Sequence, residues 1–144
     1  MELTNHFLLR VTTDLNALVP VLQWFEKTTE FLLPETVIWQ CKVALAEGFT
    51  NTVIYAHENL AATTPIEIDL TIDRRSLMIR IWNYGKPFDL EAKLKEIQEN
   101  ILDPLEHESF RGLLFMQAFT DELRYVRLED DRNCLVMSKV YNSN

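Results

Sequence analysis

Residues 65–84 constrain the fold more than any other stretch of this chain. In PIEIDLTID, the apolar residues Ile66, Ile68, Leu70 and Ile72 alternate without a fault with Glu67, Asp69, Thr71 and Asp73. That period of two marks a strand with one face buried and one face wet. After Arg74-Arg75 the run SLMIRIWNY repeats the pattern, with Leu77, Ile79, Ile81 and Asn83 on the inward side. Two such runs joined by a short polar turn make an antiparallel hairpin. A hairpin with an apolar face is not stable alone and must find a second layer. Asn83 ends the apolar row, where a buried amide needs partners.

Helical periodicity supplies that layer. Residues 6–11 read as a short strand, and about 15–33 as a helix with Leu18, Leu22, Phe25 and Leu32 near one face. Pro20 is tolerable only in the first turn, so this helix should start near Asn16. Pro34 ends it and opens a second helix over about 35–60. At about 100° per residue, Cys41, Leu45, Gly48, Thr52 and Ala56 share a face of that second helix, and Val43, Ala46, Phe49 and Val53 widen the apolar arc. Lys42 and His57 interrupt it. Gln40, Glu47, Asn51 and Glu58 fall within a sector of roughly 40°. Angles alone favour reading this stripe as the helix's solvated side. Residues 89–101 read as a short helix, 102–110 as a loop, 111–119 as a helix, and 121–128 and 133–141 as two further strands. The order predicts an α/β two-layer sandwich, one mostly antiparallel sheet with helices packed on one face.

Composition bounds the rest. The 144 residues suit a single domain, 1–144, and 47% hydrophobic with 25% charged residues is ordinary globular usage. No apolar run approaches the ~20 residues of a membrane span. The start, MELTNHFLLR, carries its acidic residue first and its arginine after the apolar patch, the wrong order for a secretory signal. Fourteen basic against 22 acidic residues give a net charge of −8, which argues against direct contact with nucleic acid or an anionic membrane. Cys41 and Cys134 are the only cysteines, have no zinc-site spacing, and read as small apolar residues of a reducing, cytoplasmic protein.

Glycine is scarce: average usage would give ~10, and the chain has three. Each should mark a place where backbone geometry or close approach matters. The first stands in Glu47-Gly48-Phe49-Thr50-Asn51. Glu47 and Asn51 are four apart, so a carboxylate and an amide meet on one helix face. Such a pair can set a hydrated divalent cation beside a proton acceptor, although E-x-x-x-N by itself is common. The second stands in Asn83-Tyr84-Gly85-Lys86-Pro87-Phe88-Asp89, where a strand ends, the chain turns and Asp89 can cap a helix. The third stands in Ser109-Phe110-Arg111-Gly112-Leu113-Leu114. There a helix start with free amides, plus Arg111, offers a phosphate seat.

Together, in this order, the three phrases resemble the N, G1 and G2 boxes of the gyrase–histidine-kinase ATPase superfamily, the Bergerat fold. They are most similar to its anti-sigma-factor serine kinases. EGFTNTVIYA (47–56) stands against E-A-x-x-N-A-V-x-H-A, NYGKPFD against D-x-G-x-P/G-F-D, and FRGLLF against G-x-G-L-x-L. The resemblance covers essentially the whole chain. It implies an ATP site between the long helix, the end of the inner strand and the loop before residue 113. In that reading Asn51 ligates Mg²⁺ and Glu47 is the general base that takes a serine proton. Asn83 receives the adenine amino group, Gly85 admits the purine, Arg111 and Gly112 face the phosphates, and about 95–110 forms a nucleotide lid. The implied partners are an anti-sigma antagonist protein as substrate and a sigma factor held inactive. The family's tendency to dimerise adds a second copy of the chain.

Three positions depart from the family pattern. Asn83 replaces an aspartate, which loses a charge-assisted bond to adenine. Phe110 stands where glycine is frequent. Cys134 replaces a threonine whose hydroxyl reaches adenine through water, and a thiol bonds weakly. Two function classes follow. Intact Glu47 and Asn51 favour an active kinase, whereas the three departures favour a partner-binding module with weak or no turnover.

Overall fold

The computed structural model describes residues 4–86, 89–99 and 108–141. Five strands form one sheet: β1 (Asn5–Thr12), β2 (Pro65–Ile72), β3 (Ser76–Asn83), β4 (Glu122–Arg127) and β5 (Asn133–Val140). Their order is β1-β2-β3-β5-β4, and every neighbouring pair is antiparallel. Four helices accompany them: α1 (Leu18–Thr29), α2 (Glu35–Asn51), α3 (Leu90–Gln98) and α4 (Glu108–Phe119). This is the α/β sandwich expected from the alternation of apolar and polar residues.

The hairpin keeps the predicted parity. Ile66, Ile68, Leu70 and Ile72 of β2 and Leu77, Ile79, Ile81 and Asn83 of β3 are all buried. The apolar ones meet Val21 and Phe25 of α1 and Cys41, Leu45 and Phe49 of α2 in one core. Gly48 sits where a methyl group would lie 2.9 Å from Ile81 Cδ1 and 3.0 Å from Leu135 Cδ2, so α2 rests directly on the sheet. On the opposite face Asp69 takes hydrogen bonds from Arg80 Nε and Trp82 Nε1, both at 2.9 Å. Arg132 covers the Trp82 ring, 4.9 Å from its centroid. These polar and aromatic side chains cover part of the face that carries no helix, which also presents the exposed Leu8 opposite Asp69.

Four boundaries differ from the sequence expectation. A 3₁₀ turn over Leu15–Ala17, capped by Asp14, precedes α1, which puts Pro20 in the first turn as required. The helix ends at Thr29 rather than residue 33. The Thr29 hydroxyl bonds back to the Phe25 carbonyl and the Leu32 and Leu33 amides close onto Thr29, while Pro34 disfavours helical backbone at Leu33. The long helix does not run to residue 60 as one α-helix. It passes at Thr52–Ala56 into a π-helical turn, with His57 N–H donating to the Thr52 carbonyl at 2.9 Å. Lastly, α4 begins at Glu108, three residues before the expected start. No helix among the described residues is long and apolar enough to cross a membrane.

Candidate functional site

Where Glu47 and Asn51 stand, the polar stripe of α2 is not a solvated side, whereas Glu58 beyond the helix is exposed. Helix α4 packs over the stripe there, anchored where Trp39 meets Phe119 edge-on at 5.3 Å and Phe115 stacks on Phe119 at 6.1 Å. Gly112 is the point of closest approach. A methyl group there would lie 2.5 Å from Glu47 Oε2 and 3.5 Å from Asn51 Nδ2. The i, i+4 pair therefore converges on one spot beneath α4, as the spacing required. The early start of α4 changes Gly112's own part. It is the fifth residue of the helix, beyond the unpaired amides of a helix N-terminus. It gives room to the Glu47 carboxylate rather than a free N–H to a phosphate. Arg111 precedes it, half-buried.

Beside this convergence a cavity of about 970 Å³ opens between α2, the end of β3 and α4. Among the expected site residues, Asn51, Asn83 and Gly85 line it, and Glu47, Arg111 and Gly112 do not. Its wall holds Lys86, Lys93 and Arg127 against the carboxylates of Glu58 and Asp131. Arg127 is paired with Asp131 at 3.2 Å and Lys93 with Glu96 at 3.6 Å, so the wall carries a small cationic excess in an acidic chain, which suits an anionic ligand. The Asn51 amide lines the cavity without a hydrogen-bond partner among the described residues. These residues fit a divalent cation of one kind. Among the described residues no three His, Cys, Asp or Glu side chains gather as a metal cage. Mg²⁺ does not need one, because it keeps water and is shared between one or two protein oxygens and substrate phosphates. The Asn51 amide oxygen is such a donor.

The far end is a closed amide network. Asn83, 1% exposed, accepts at Oδ1 from Gly85 N–H at 3.1 Å and from Asn133 Nδ2 at 3.0 Å. The Tyr125 hydroxyl adds a third donor at 3.4 Å. Asn133 Nδ2 also donates to the Gly85 carbonyl at 2.7 Å, and Arg127 donates to that carbonyl and to Asn133 Oδ1, both at 3.2 Å. Arg127 is held in turn by Asp131 at 3.2 Å. The Asn83 oxygen that the sequence reading assigned to an adenine amino group is occupied by the protein's own donors. Asn133, Tyr125 and Arg127 were not singled out in the sequence. The available signal was parity: Asn133 pairs with Asn83 across β3 and β5 and shares the inward face with Leu135 and Met137. By the same parity Cys134 pairs with Trp82 and faces away from the cavity. It does not stand in for a hydroxyl at the base. Burial pushes its thiol up to about 11 and that of Cys41 up to about 12, as inert apolar residues require.

Gly85 is glycine for a reason of packing. A methyl group on it would lie 2.1 Å from the Ala56 carbonyl oxygen, so the turn after β3 lies against the π-helical turn. His57, next along, is 2% exposed and ties three segments together. The Thr13 hydroxyl donates to the Thr64 carbonyl at 2.7 Å, so its oxygen accepts from His57 Nδ1–H at 2.8 Å. Nε2 then accepts from Tyr84 N–H at 2.9 Å. The ring is held neutral in one tautomer, and burial lowers its pKa below the ordinary 6.5. The unfolded chain therefore binds this proton more readily than the native one. Stability is full above about pH 6.5 and falls as pH drops below it, towards the lowered native value. Melting curves between about pH 8 and about pH 5 should show this loss in the wild type and a flatter profile in His57→Gln. Equal profiles would remove His57 from the account.

Pro87, Phe88, residues 100–107 and the Phe110 side chain lie outside the described residues, and half of the expected lid, about 95–110, lies there with them. Asp89 caps α3 as expected, accepting from Ala92 N–H at 3.0 Å.

Residues 11–139 match the family described as Histidine kinase-like ATPase domain. No curated protein sequence matches the chain. Among solved structures it is similar in fold to a chain of the SiaB–SiaC complex from Pseudomonas aeruginosa. The TM-score is 0.61 at 13% identity, over 94% of this chain and 89% of that one. With a match across nearly its whole length, this chain belongs to the histidine kinase-like ATPase domain family.

Proposed function

We propose that the chain is an ATP-dependent protein serine kinase of a partner-switching system, which phosphorylates an anti-sigma antagonist and sequesters a sigma factor. The observation that carries this reading is the meeting of Glu47 and Asn51 beneath Gly112, beside a cavity lined by Lys86, Lys93 and Arg127. The likeness to a chain from a two-protein complex supports a protein as partner. Asn51 would hold Mg²⁺, which when bound with ATP supplies the charge that balances the phosphates. Lys86 and Lys93 line the way in for the anion. Glu47 takes the proton from the substrate hydroxyl as its oxygen bonds to the γ-phosphorus. The bridging oxygen–phosphorus bond breaks in the same step and ADP leaves.

Incubation with labelled Mg²⁺-ATP and candidate antagonist proteins tests the kinase directly. Label on one of them, lost in Glu47→Gln, is the expected result. Asn51→Ala should abolish the Mg²⁺-dependent part of nucleotide binding in titration calorimetry, because the cation loses its amide ligand. Binding that is equal in Asn51→Ala and wild type would take Asn51 out of the metal site. A second reading, a regulatory module that binds its partner with little turnover, is favoured by one observation. The oxygen of Asn83 is already committed to Gly85 and Asn133. ATP binding without transfer to any antagonist would select it.

A further inference from the structure

We propose that residue 83 presents a hydrogen-bond donor to the nucleobase, so that this cavity favours a 6-oxopurine nucleotide over ATP. The inference rests on reading the cavity as a nucleotide site. It changes one part of the proposed function, the base of the phosphate donor, from adenine to a 6-oxopurine, and leaves the phosphoryl chemistry at the other end untouched.

The orientation of both amides follows from neighbours that can act in only one way. The Gly85 carbonyl only accepts, so the Asn133 atom 2.7 Å from it is Nδ2. Arg127 only donates, so the Asn133 atom it meets at 3.2 Å is Oδ1. The second hydrogen of Asn133 Nδ2 is aimed at Asn83 from 3.0 Å, and the atom receiving it must be Oδ1. Gly85 N–H reaches the same oxygen independently at 3.1 Å. Turning the Asn83 amide over would set its nitrogen against two donors. Its two lone pairs are thus spent inside the protein.

What remains of the side chain is Nδ2. It makes no hydrogen bond among the described residues. Every fully buried polar side-chain atom among them has a partner, so Nδ2 is not fully buried. It is the atom through which this residue, 1% exposed, reaches the cavity it lines. An amide nitrogen has no lone pair to offer and can only donate.

The 6-position of a purine is the group this donor discriminates. Adenine carries an amino donor there, whereas guanine and hypoxanthine carry an oxygen acceptor. Two donors head-on leave both unpaired, which is the costly outcome in a desolvated site. Adenine can meet Nδ2 only by sliding to a ring nitrogen, and a 6-oxopurine meets it directly. An aspartate at this position would keep the same inner bonds through one oxygen and present the other as an acceptor, with Arg127 close by to support the charge. A single exchange of oxygen for NH₂ thereby inverts the polarity read at the base.

Titration calorimetry of the wild type and Asn83→Asp with the magnesium salts of ATP, ITP and GTP tests this. ITP isolates the 6-position because it lacks the 2-amino group of GTP. The expected wild-type result is ITP bound about tenfold more tightly than ATP, worth ~1.4 kcal/mol. Asn83→Asp should reverse the order, a swing of about a hundredfold in the ratio. The wild-type comparison decides the matter even if the variant does not fold. ATP bound as tightly as ITP or more tightly, or a ratio unmoved by Asn83→Asp, would overturn the donor reading and leave the nucleotide site standing. Heat from none of the three at millimolar concentration would overturn both.

Discussion

Glu47→Gln should bind nucleotide as the wild type does and transfer phosphate ~10²–10⁴-fold more slowly, the usual worth of a positioned general base. The substitution keeps the shape of the side chain and removes only its basicity. Glutamine fits the space beneath Gly112, where Glu47 Oε2 lies 2.5 Å from the position a methyl group would take. Single-turnover transfer from labelled nucleotide to an antagonist, beside calorimetric binding, separates the two effects. A companion variant probes position rather than basicity. Gly112→Ala must displace the carboxylate, because the obstructing atom is the end of a flexible side chain and not backbone. Alanine favours a helix interior by about 1 kcal/mol over glycine. Gly112→Ala should therefore be as stable as the wild type and slower in transfer. Transfer at the wild-type rate in Glu47→Gln would end the kinase mechanism proposed above.

Gly85→Ala should have the largest effect on stability. The added methyl group would stand 2.1 Å from the Ala56 oxygen, 2.7 Å from its carbonyl carbon and 3.0 Å from its Cα. All three are backbone atoms, and neither strand of the contact is free to yield. On one side His57 is bonded to Thr52 and Tyr84. On the other Gly85 is bonded through N–H to Asn83 and through its carbonyl to Asn133 and Arg127. Overpacking a core typically costs ~1–3 kcal/mol, and a clash between fixed backbones belongs at or above the top of that range. For a chain of this size the melting temperature should drop by roughly 10 °C. A wild-type midpoint in thermal and urea unfolding would show that the turn after β3 moves freely. Because the same turn carries Asn83, any folded Gly85→Ala protein should also lose nucleotide affinity.

Much of this was decided by local sequence. The alternation over 65–83 determines two strands and puts Asn83 on the inward face, because side-chain direction in a strand depends only on parity. The spacing of Glu47 and Asn51 determines that they share a helix face, because 3.6 residues per turn stack positions four apart. The scarcity of glycine marked three places of close approach, and all three are such places. What pressed on each was decided by tertiary structure: the sheet at Gly48, the Ala56 backbone at Gly85, the Glu47 carboxylate at Gly112. Local periodicity says which way a side chain points and is silent on what lies opposite. The bond from Asn133 to Asn83 spans 50 residues and that from Thr13 to His57 spans 44. Neither has a local signature, and the π-helical turn that brings His57 to Tyr84 adds a residue to a pattern that sequence angles extend unbroken. Residue type alone leaves open whether Asn83 offers an oxygen or a nitrogen to the cavity. Only the packing of β5 against β3, which spends the oxygen on Gly85 and Asn133, decides that it offers the nitrogen.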